Sequence, residues 1–395
     1  MRSFDWRAYA AVLGAAIACY AALGAVLRAV PTYVPTELGA GALAVGLAVG
    51  APAMTGAIAR PMGGRWADRL GSRKVVVAGA VIMAAGVVPA FWTSLAALLV
   101  SRLLVGCGEA LMMSASVLWL LRIAGPEHRG RSLGHIGLAN YGGLTIGPLL
   151  VTLFDADHHI ARLWMLAIVL PLIGAAAALF VGGAPGPSTE HEPAPIWTMV
   201  RRTGRPGVGL LLVNIGYVSV LSFGAIVVAR HGLKIGALIV PVFGAGVILS
   251  RVGLGSLPDR LGAPIVLFGA AVLEAAGLAV FAVSSTTSMA IVALAILSVG
   301  QGLAVPALGV LALADVPAAQ QGAAAGAFFA WFDGGVGLGG PLVGAVARLL
   351  SPQSAIIAAA VAVAAAVPVV LRRRVRLSTQ PEPDHPRVSV SSGSR

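Results

Sequence analysis

Long apolar stretches follow one another along this chain of 395 residues, with only brief polar segments between them. Charged residues make up 11% of the sequence, whereas roughly 25% is usual in soluble domains. About 20 apolar residues are needed for a helix to cross a bilayer. The chain is therefore predicted to cross a membrane repeatedly. The twelve predicted spans are residues 8–30, 41–62, 75–94, 97–121, 132–154, 163–183, 207–229, 236–254, 264–284, 287–312, 323–347 and 353–371.

Backbone amides in lipid must find their hydrogen-bond partners inside the protein, so only helices and closed barrels span a membrane. The apolar stretches are too long and too continuous for barrel strands, which need about 10 residues each. The 51 glycines allow helices to approach one another closely. The sequence thus predicts an all-α polytopic membrane protein with twelve transmembrane helices in two six-helix bundles.

The net charge of +12 is distributed unevenly along the chain. If the N-terminus is cytoplasmic, most arginines and lysines fall in segments that face the cytoplasm. The basic residues on the opposite side are Arg28, Arg162, Arg230, Lys234 and Arg348. This asymmetry predicts that both termini are cytoplasmic, and it explains the basic charge without a nucleic-acid partner.

A short polar segment occurs twice, at residues 64–71 and again at residues 255–262. Its first glycine, aspartate, arginine, leucine and last glycine all recur 191 positions later. Two further matches occur at similar intervals. They are Gly106 and Gly108 with Gly300 and Gly302, and Gly147-Pro148 with Gly340-Pro341. The chain is therefore predicted to be a duplicated bundle. Its predicted parts are the halves at residues 1–183 and 206–371, a linker at 184–205 and a disordered basic tail at 372–395.

Two motifs of the first half resemble those of major facilitator superfamily transporters. The first joins the second and third spans and consists of Gly64, Asp68, Arg69, Gly71 and Arg73. The second lies in the fourth span and consists of Arg102, Gly106 and Gly108. The segments around Glu109 and Asp333 are most similar to bacterial efflux permeases of the arabinose-exporter-like and drug-exporter groups. The resemblance covers the whole chain and implies a transporter of two six-helix bundles in the bacterial inner membrane.

A third motif, in the fifth span, resembles the one associated with antiporters in the same superfamily. It consists of Gly143, Gly147 and Pro148. Val151 and Thr152 stand where a glycine pair is usual, which weakens the inference of antiport.

The resemblance also implies a cytoplasmic gate between the second and third spans. Asp68, Arg69 and Arg73 would hold the bundles together on the cytoplasmic side, from the turn that opens the third helix. Asp259 and Arg260 form the second copy, which is the weaker gate because it lacks the later basic pair. The alternative is a solvated turn whose basic residues serve only the membrane topology.

Arg102 and Glu109 are ionisable residues inside one span, where a charge costs about 2.5 to 3.5 kcal/mol. They are two helical turns apart and share a face, which should line a central cavity. A carboxyl group in such a cavity can bind and release a proton, so Glu109 is predicted to carry protons while Arg102 favours its charged form. The alternative is a structural ion pair.

Asp333 in the eleventh span is the second predicted proton carrier. It lies 193 positions after Asn140 in the fifth span, so the two residues occupy equivalent places in the repeat. A carboxylate and its neutral counterpart at related sites suggest a polar contact between the bundles. The alternative for Asp333 is a hydrogen bond that serves only helix packing.

Five polar residues are predicted to contact the substrate. They are Arg28, Asn140, Asn214, Tyr217 and Gln301. Asn214, Tyr217 and Gln301 fall in the seventh and tenth spans, which line the cavity in the superfamily that the chain resembles. Each residue could equally make a hydrogen bond between helices, and Arg28 could extend to the membrane interface instead.

The function predicted from these features is secondary active transport, with proton-coupled antiport that exports a small organic molecule such as a drug, a sugar or a metabolite. A monomer that works by alternating access is expected. The alternatives are a proton symporter or facilitator for uptake, and a membrane sensor or scaffold that transports nothing. No phosphate-binding loop or nucleophile motif occurs, so neither an enzyme nor a cofactor is expected. Asp155, Asp157, His158 and His159 are expected to form a solvated loop and not a metal site.

Overall fold

A computed structural model describes residues 5–125, 128–156, 159–182, 196–317 and 320–371. These residues form twelve long helices and two short ones, α7 and α10. The helices are α1 (Trp6–Thr36), α2 (Ala42–Leu70), α3 (Ser72–Val87), α4 (Leu95–Ala124), α5 (Arg129–Leu153), α6 (Ile160–Leu179), α7 (Ile196–Arg202), α8 (Gly204–Arg230), α9 (Ile239–Leu254), α10 (Leu257–Leu261), α11 (Ala263–Ala282), α12 (Thr287–Leu313), α13 (Gln321–Leu349) and α14 (Pro352–Leu371).

Among the described residues, eleven of the long helices are long and apolar enough to cross a membrane, and two of these, α3 and α9, are so together with an adjoining 3-10 turn. The twelfth, α13, has 29 residues, which exceeds the length of about 20 that a crossing needs. It carries the buried Asp333 within its length. The predicted all-α polytopic fold is confirmed.

Helix α2 is longer than its predicted span, which ended at residue 62. It continues to Leu70 and stops at Gly71, whose φ of +90° is strained for any residue with a side chain. Asp68 and Arg69 therefore lie in the last turn of α2, and the prediction that they occupy the turn opening the third helix is wrong. Gly262, the repeat counterpart of Gly71, has a φ of +86° and ends α10 in the same way.

The two halves pack their helices in the same pattern. In the first half α1 contacts α5 and α6, while α4 contacts α2 and α3. In the second half α8 contacts α13 and α14, while α12 contacts α9 and α11. Each of these contacts in the first half has an equivalent in the second half, between the corresponding helices of the repeat. The duplication seen in the sequence is thus also present in the packing.

The main contacts between the halves are made by two helix pairs, α2 with α13 and α5 with α9, and we call them the first seam and the second seam. Smaller contacts join α8 to α1 and α2, and α1 to α9. The repeat exchanges the two seams, because α2 corresponds to α9 and α13 corresponds to α5. The first seam is tight at the end of the protein that carries the α1–α2 loop. There a Cβ atom added to Gly46 or Gly340 would overlap the backbone of the other helix.

Several predicted segments lie partly or wholly outside the described residues. Of the predicted linker, residues 184–195 are outside them, residues 196–202 form α7, and α8 begins at Gly204. The predicted tail, residues 372–395, is outside them entirely. The boundaries of the two halves and of the linker stay predictions.

Candidate functional site

Three charged side chains meet at the first seam. The Nη2 atom of Arg60 donates to Asp333 Oδ1 at 3.0 Å and to both carboxylate oxygens of Glu109 at 3.3 Å. Arg60 Nε donates to Asp333 Oδ2. The side chains are 17% exposed for Arg60, 9% for Glu109 and 4% for Asp333. Two carboxylates share one guanidinium, so the group carries a net charge of −1 when all three are ionised.

Four helices contribute to this group. Tyr20 on α1 donates its hydroxyl to Glu109 Oε1, while Arg60 lies on α2, Glu109 on α4 and Asp333 on α13. We call these four residues the ionic site. The bond of Arg60 to Glu109 stays inside the first half, whereas its bond to Asp333 crosses to the second half. One arginine therefore has one partner in each half.

Arg102 contacts a different part of α2. Its Nε atom donates to the carbonyl oxygen of Ala48 at 3.0 Å, and the residue is only 2% exposed. That carbonyl lacks its usual helix partner because residue 52 is a proline without an N–H group. The guanidinium that bonds Glu109 is thus that of Arg60 and not that of Arg102. Arg102 satisfies a backbone oxygen that Pro52 leaves open.

Sequence reasoning missed Arg60, which was counted only among the basic residues on the predicted cytoplasmic side. A signal for it exists in the repeat. Arg60 stands eight positions before Asp68, and Arg251 stands eight positions before Asp259. Because an arginine occurs at the same place in both copies of a membrane helix, Arg60 and Arg251 could have been predicted as a related pair of functional residues.

The second seam carries Arg251 on α9, but its partner is an aromatic ring. The guanidinium carbon of Arg251 lies 4.7 Å from the centre of the Tyr141 ring on α5. The Nε atom of Arg251 is buried without a hydrogen-bond partner. In the described residues no carboxylate lies within ion-pair distance of it. Next to Tyr141, Asn140 donates to the sulfur of Met113 at 3.6 Å, and its Oδ1 is buried without a partner.

The other predicted substrate residues of the second half lie close to one another. Gln301 on α12 donates to Asn214 Oδ1 on α8 at 3.1 Å, while Gln301 Oε1 and Asn214 Nδ2 are buried without partners. Tyr217 on α8 packs against Phe243 and Phe332, with ring centres 5.3 and 6.4 Å apart. These contacts join α8 to α9, α12 and α13 within the second half, which also carries Arg251.

Arg28 contacts α5 of its own half. Its Nη1 atom donates to the Pro148 carbonyl at 2.6 Å and to Thr152 Oγ1 at 2.5 Å. Thr152 is one of the two residues that depart from the antiporter motif, and its hydroxyl helps to hold α1 against α5. Arg28 stands eight residues after Tyr20 on α1, so it lies towards the end of the protein that carries the α1–α2 loop.

The predicted gate residues of the first copy bond within the first half. Asp68 Oδ1 accepts from Arg122 Nη2 on α4 at 2.5 Å, and Arg73 Nη1 donates to the carbonyl of Val181 at 3.1 Å. Arg69 is exposed, as are Asp259 and Arg260 in the second copy. These bonds do not join the two halves in this conformation.

The predicted motif glycines lie where two helix backbones touch. A Cβ atom on Gly106 would overlap Pro52 of α2, and one on Gly143 or Gly147 would overlap the backbone of α1 near Ala21. Gly340 has the same role against α2 at the first seam. Pro148 and Pro341 lie inside α5 and α13.

Acidic residues outside the ionic site include those of the loop after α5 and Glu274 on α11. In the loop after α5, Asp155 pairs with Arg162 at 3.5 Å and with His159 at 3.7 Å, while Asp157 and His158 are outside the described residues. Glu274 on α11 is 1% exposed, and its Oε2 has no hydrogen-bond partner. It lies inside the second half, where the sequence suggested no role for it.

Comparison with known proteins identifies the family. The family model of the Major Facilitator Superfamily matches residues 12–340. The chain belongs to this superfamily. An uncharacterized MFS-type transporter of Salmonella typhimurium is 31% identical over 352 residues, which cover 86% of this chain and 90% of that protein. Another, from Burkholderia mallei, is 32% identical over 372 residues, which cover 91% of each protein.

Among solved structures, the nucleoside transporter NupG is similar with a TM-score of 0.80 and 14% identity. The match covers 92% of this chain and 99% of that one. An identity this low shows the fold alone. Together with family membership, it makes the protein a multi-pass bacterial membrane transporter of a small molecule.

Proposed function

We propose that this member of the superfamily is a proton-coupled antiporter that exports a small organic molecule. The observation that carries the proposal is the ionic site, in which one guanidinium is shared by two buried carboxylates. A net charge of −1 inside a membrane protein is costly, and one bound proton neutralises it. The site therefore suits a single proton that is bound and released in each cycle.

The bonds of Arg60 suggest how a proton would change the conformation. With both carboxylates ionised, Arg60 holds α2 to α13 through Asp333. A proton on Asp333 removes the charge that attracts Arg60, and Arg60 then pairs with Glu109 inside the first half. Protonation thereby releases the contact between the halves, which lets one half rock against the other.

The same contact favours antiport over symport. A symporter must return in its empty, deprotonated form, and that is the form in which the pair of Arg60 and Asp333 joins the halves. An antiporter changes conformation with a proton bound in one direction and with its substrate bound in the other. If its empty, deprotonated form does not change conformation, neither protons nor substrate leak across the membrane. The pairing of Arg60 with Asp333 in the empty, deprotonated form therefore supports export driven by proton entry.

Further parts of the proposal concern topology and assembly. The excess of arginine and lysine on one side supports cytoplasmic termini in the bacterial inner membrane. We propose a monomer with a gate at the cytoplasmic end of α2. In this conformation Asp68 is bonded to Arg122 of its own half, as expected of an open gate.

The test combines export profiling with vesicle transport. A strain that overproduces the protein is compared with one that overproduces Glu109→Gln, across drugs, sugars and metabolites, to find the compound whose export depends on the protein. Everted membrane vesicles then measure uptake of that compound with and without a protonophore. The expected result is uptake that requires the proton gradient and is lost in Glu109→Gln.

Glu274→Gln is the matched control, because Glu274 is also buried but lies inside the second half, away from the ionic site. It should transport like the parent. Export by Glu109→Gln at the parental rate with the gradient intact would falsify the assignment of the proton to the ionic site. Uptake that ignores the protonophore overturns proton coupling.

A further inference from the structure

The two seams carry arginines at equivalent places in the repeat. Arg60 on α2 and Arg251 on α9 are separated by the same 191 positions as Asp68 and Asp259. Each arginine lies at a seam and reaches a residue of the opposite half, Asp333 for Arg60 and Tyr141 for Arg251. The duplication thus produced two related cationic positions between the halves.

Only the first of these positions has carboxylates. The counterpart of Asp333 in the second seam is Asn140, and the counterpart of Glu109, at the interval of 194 that relates α4 to α12, is Leu303. Both acidic partners are therefore replaced by neutral residues. Arg251 keeps its positive charge without either of them.

The surroundings of Arg251 are incompletely bonded. Its Nε atom is buried without a hydrogen-bond partner, and a guanidinium inside a membrane is stabilised by paired acceptors. The ring of Tyr141 stabilises the cation from one face, but a ring offers no hydrogen-bond acceptor in the guanidinium plane. Nearby, Gln301 Oε1, Asn140 Oδ1 and Asn214 Nδ2 are also buried without partners.

The walls around these polar groups are aromatic. The Tyr217 ring packs against Phe243 and Phe332, and the Tyr141 ring lies under Arg251. Aromatic rings pack well against flat, apolar ligand groups. A ligand that complements these residues has an anionic group that pairs with Arg251 and a flat ring that packs against the aromatic side chains.

We propose that the second seam binds an aromatic organic carboxylate, with Arg251 as the partner of its carboxylate and Tyr141 and Tyr217 against its ring. This assignment names the class of cargo for the transport function proposed above, and as a cargo assignment it rests on that function. The ionic site and the second seam then have opposite charges and different tasks. The first binds the proton, and the second binds the anion.

The test is equilibrium binding to the purified full-length protein, with benzoate and 1-naphthoate as probes and their neutral amides, benzamide and 1-naphthamide, as comparison. Affinities are measured by isothermal titration at one pH. The parent is expected to bind each carboxylate roughly 10- to 100-fold more tightly than its amide, the range of a hydrogen bond to a charged group. Naphthoate should bind more tightly than benzoate because it covers more of the aromatic wall.

Arg251→Gln should reduce the affinity for both carboxylates to that for the amides and leave the amides unchanged. Arg251→Lys keeps the charge and should retain part of the preference. Arg348→Gln, an exposed arginine at the end of α13, is the control and should bind like the parent. If Arg251→Gln does not fold, the comparison of carboxylate with amide in the parent still decides the proposal.

A parent that binds carboxylate and amide alike, or an Arg251→Gln variant that keeps the parental preference, overturns the proposal. Flux in everted vesicles separates this failure from a failure of proton coupling. Carboxylate binding that needs Arg251, together with transport that ignores the proton gradient, overturns the coupling and leaves the anion site standing. Gradient-driven export of a neutral or cationic compound, with no carboxylate binding, overturns the anion site and leaves proton coupling standing.

Discussion

The two seams are built from the same duplicated helices but use opposite chemistry. At the first seam Arg60 is bonded to two carboxylates, so negative charge is in excess when all three groups are ionised. At the second seam Arg251 lies on the ring of Tyr141, and the charge is left positive. The duplicated helices thus carry two equivalent arginines with different neighbours, and this difference underlies our proposal of a proton site at the first seam and an anion site at the second.

The largest expected effect distinguishes an arginine that neutralises carboxylates from one that does not. Arg60→Gln leaves Glu109 and Asp333 buried without a cation, and removal of one partner from a buried pair costs about 3 to 5 kcal/mol. Arg251→Gln leaves no such charge behind and should cost far less. Thermal unfolding of both purified variants checks this order. Adding Asp333→Asn to Arg60→Gln should recover part of the loss, and equal losses in the two arginine variants would contradict the difference between the seams.

The next effect concerns the tight packing of the first seam. Gly340→Ala places a methyl group on the backbone of α2, and overpacking of this kind costs typically about 1 to 3 kcal/mol. We expect the halves to open at this end, measured as faster labelling of a cysteine introduced at Leu43, which is half-buried against Gly344. Gly334→Ala on the same helix meets nothing within 4 Å and serves as the control. Equal labelling of the two variants would show that this contact does not close the seam.

A smaller effect is expected when the second seam is made to resemble the first. Asn140→Asp introduces a carboxylate at the repeat counterpart of Asp333, next to the ring on which Arg251 lies. An internal carboxylate should compete with a bound one and weaken 1-naphthoate binding about tenfold, which corresponds to about 1.4 kcal/mol. Isothermal titration provides the measurement, and Asn140→Ala, which adds no charge, is the control. Unchanged binding in Asn140→Asp would mean that Arg251 is not the partner of the anion.

The smallest effect is expected outside the seams. Asp68 pairs with Arg122, but its side chain is 55% exposed, and exposed ion pairs contribute about 0 to 1 kcal/mol. Asp68→Asn should therefore change the thermal midpoint little, unlike Arg60→Gln. A loss as large as that of Arg60→Gln would show that the pair is not the weak surface bond that its exposure implies.

Patterns that run along the chain could be predicted from it, whereas bonds that cross between helices could not. Apolar length and the recurring glycine segment predicted the membrane helices and the duplication. The partner of Arg102 is a carbonyl left open by Pro52, and no spacing within α4 indicates it. Glu109 and Asp333 were identified separately because each is an acid inside an apolar span, but their common partner Arg60 became evident only when α2 was placed between α4 and α13.

The bond between Arg102 and Ala48 has a mechanical consequence. It fastens α4 to α2 between the glycine contact at Gly46 and the charges around Arg60. We therefore expect α2 and α4 to move together, so that a displacement of α2 near Gly46 also moves the charges around Arg60. Without this hydrogen bond α2 could bend independently of α4. The end of the protein that carries the α1–α2 loop could then open without displacing Arg60.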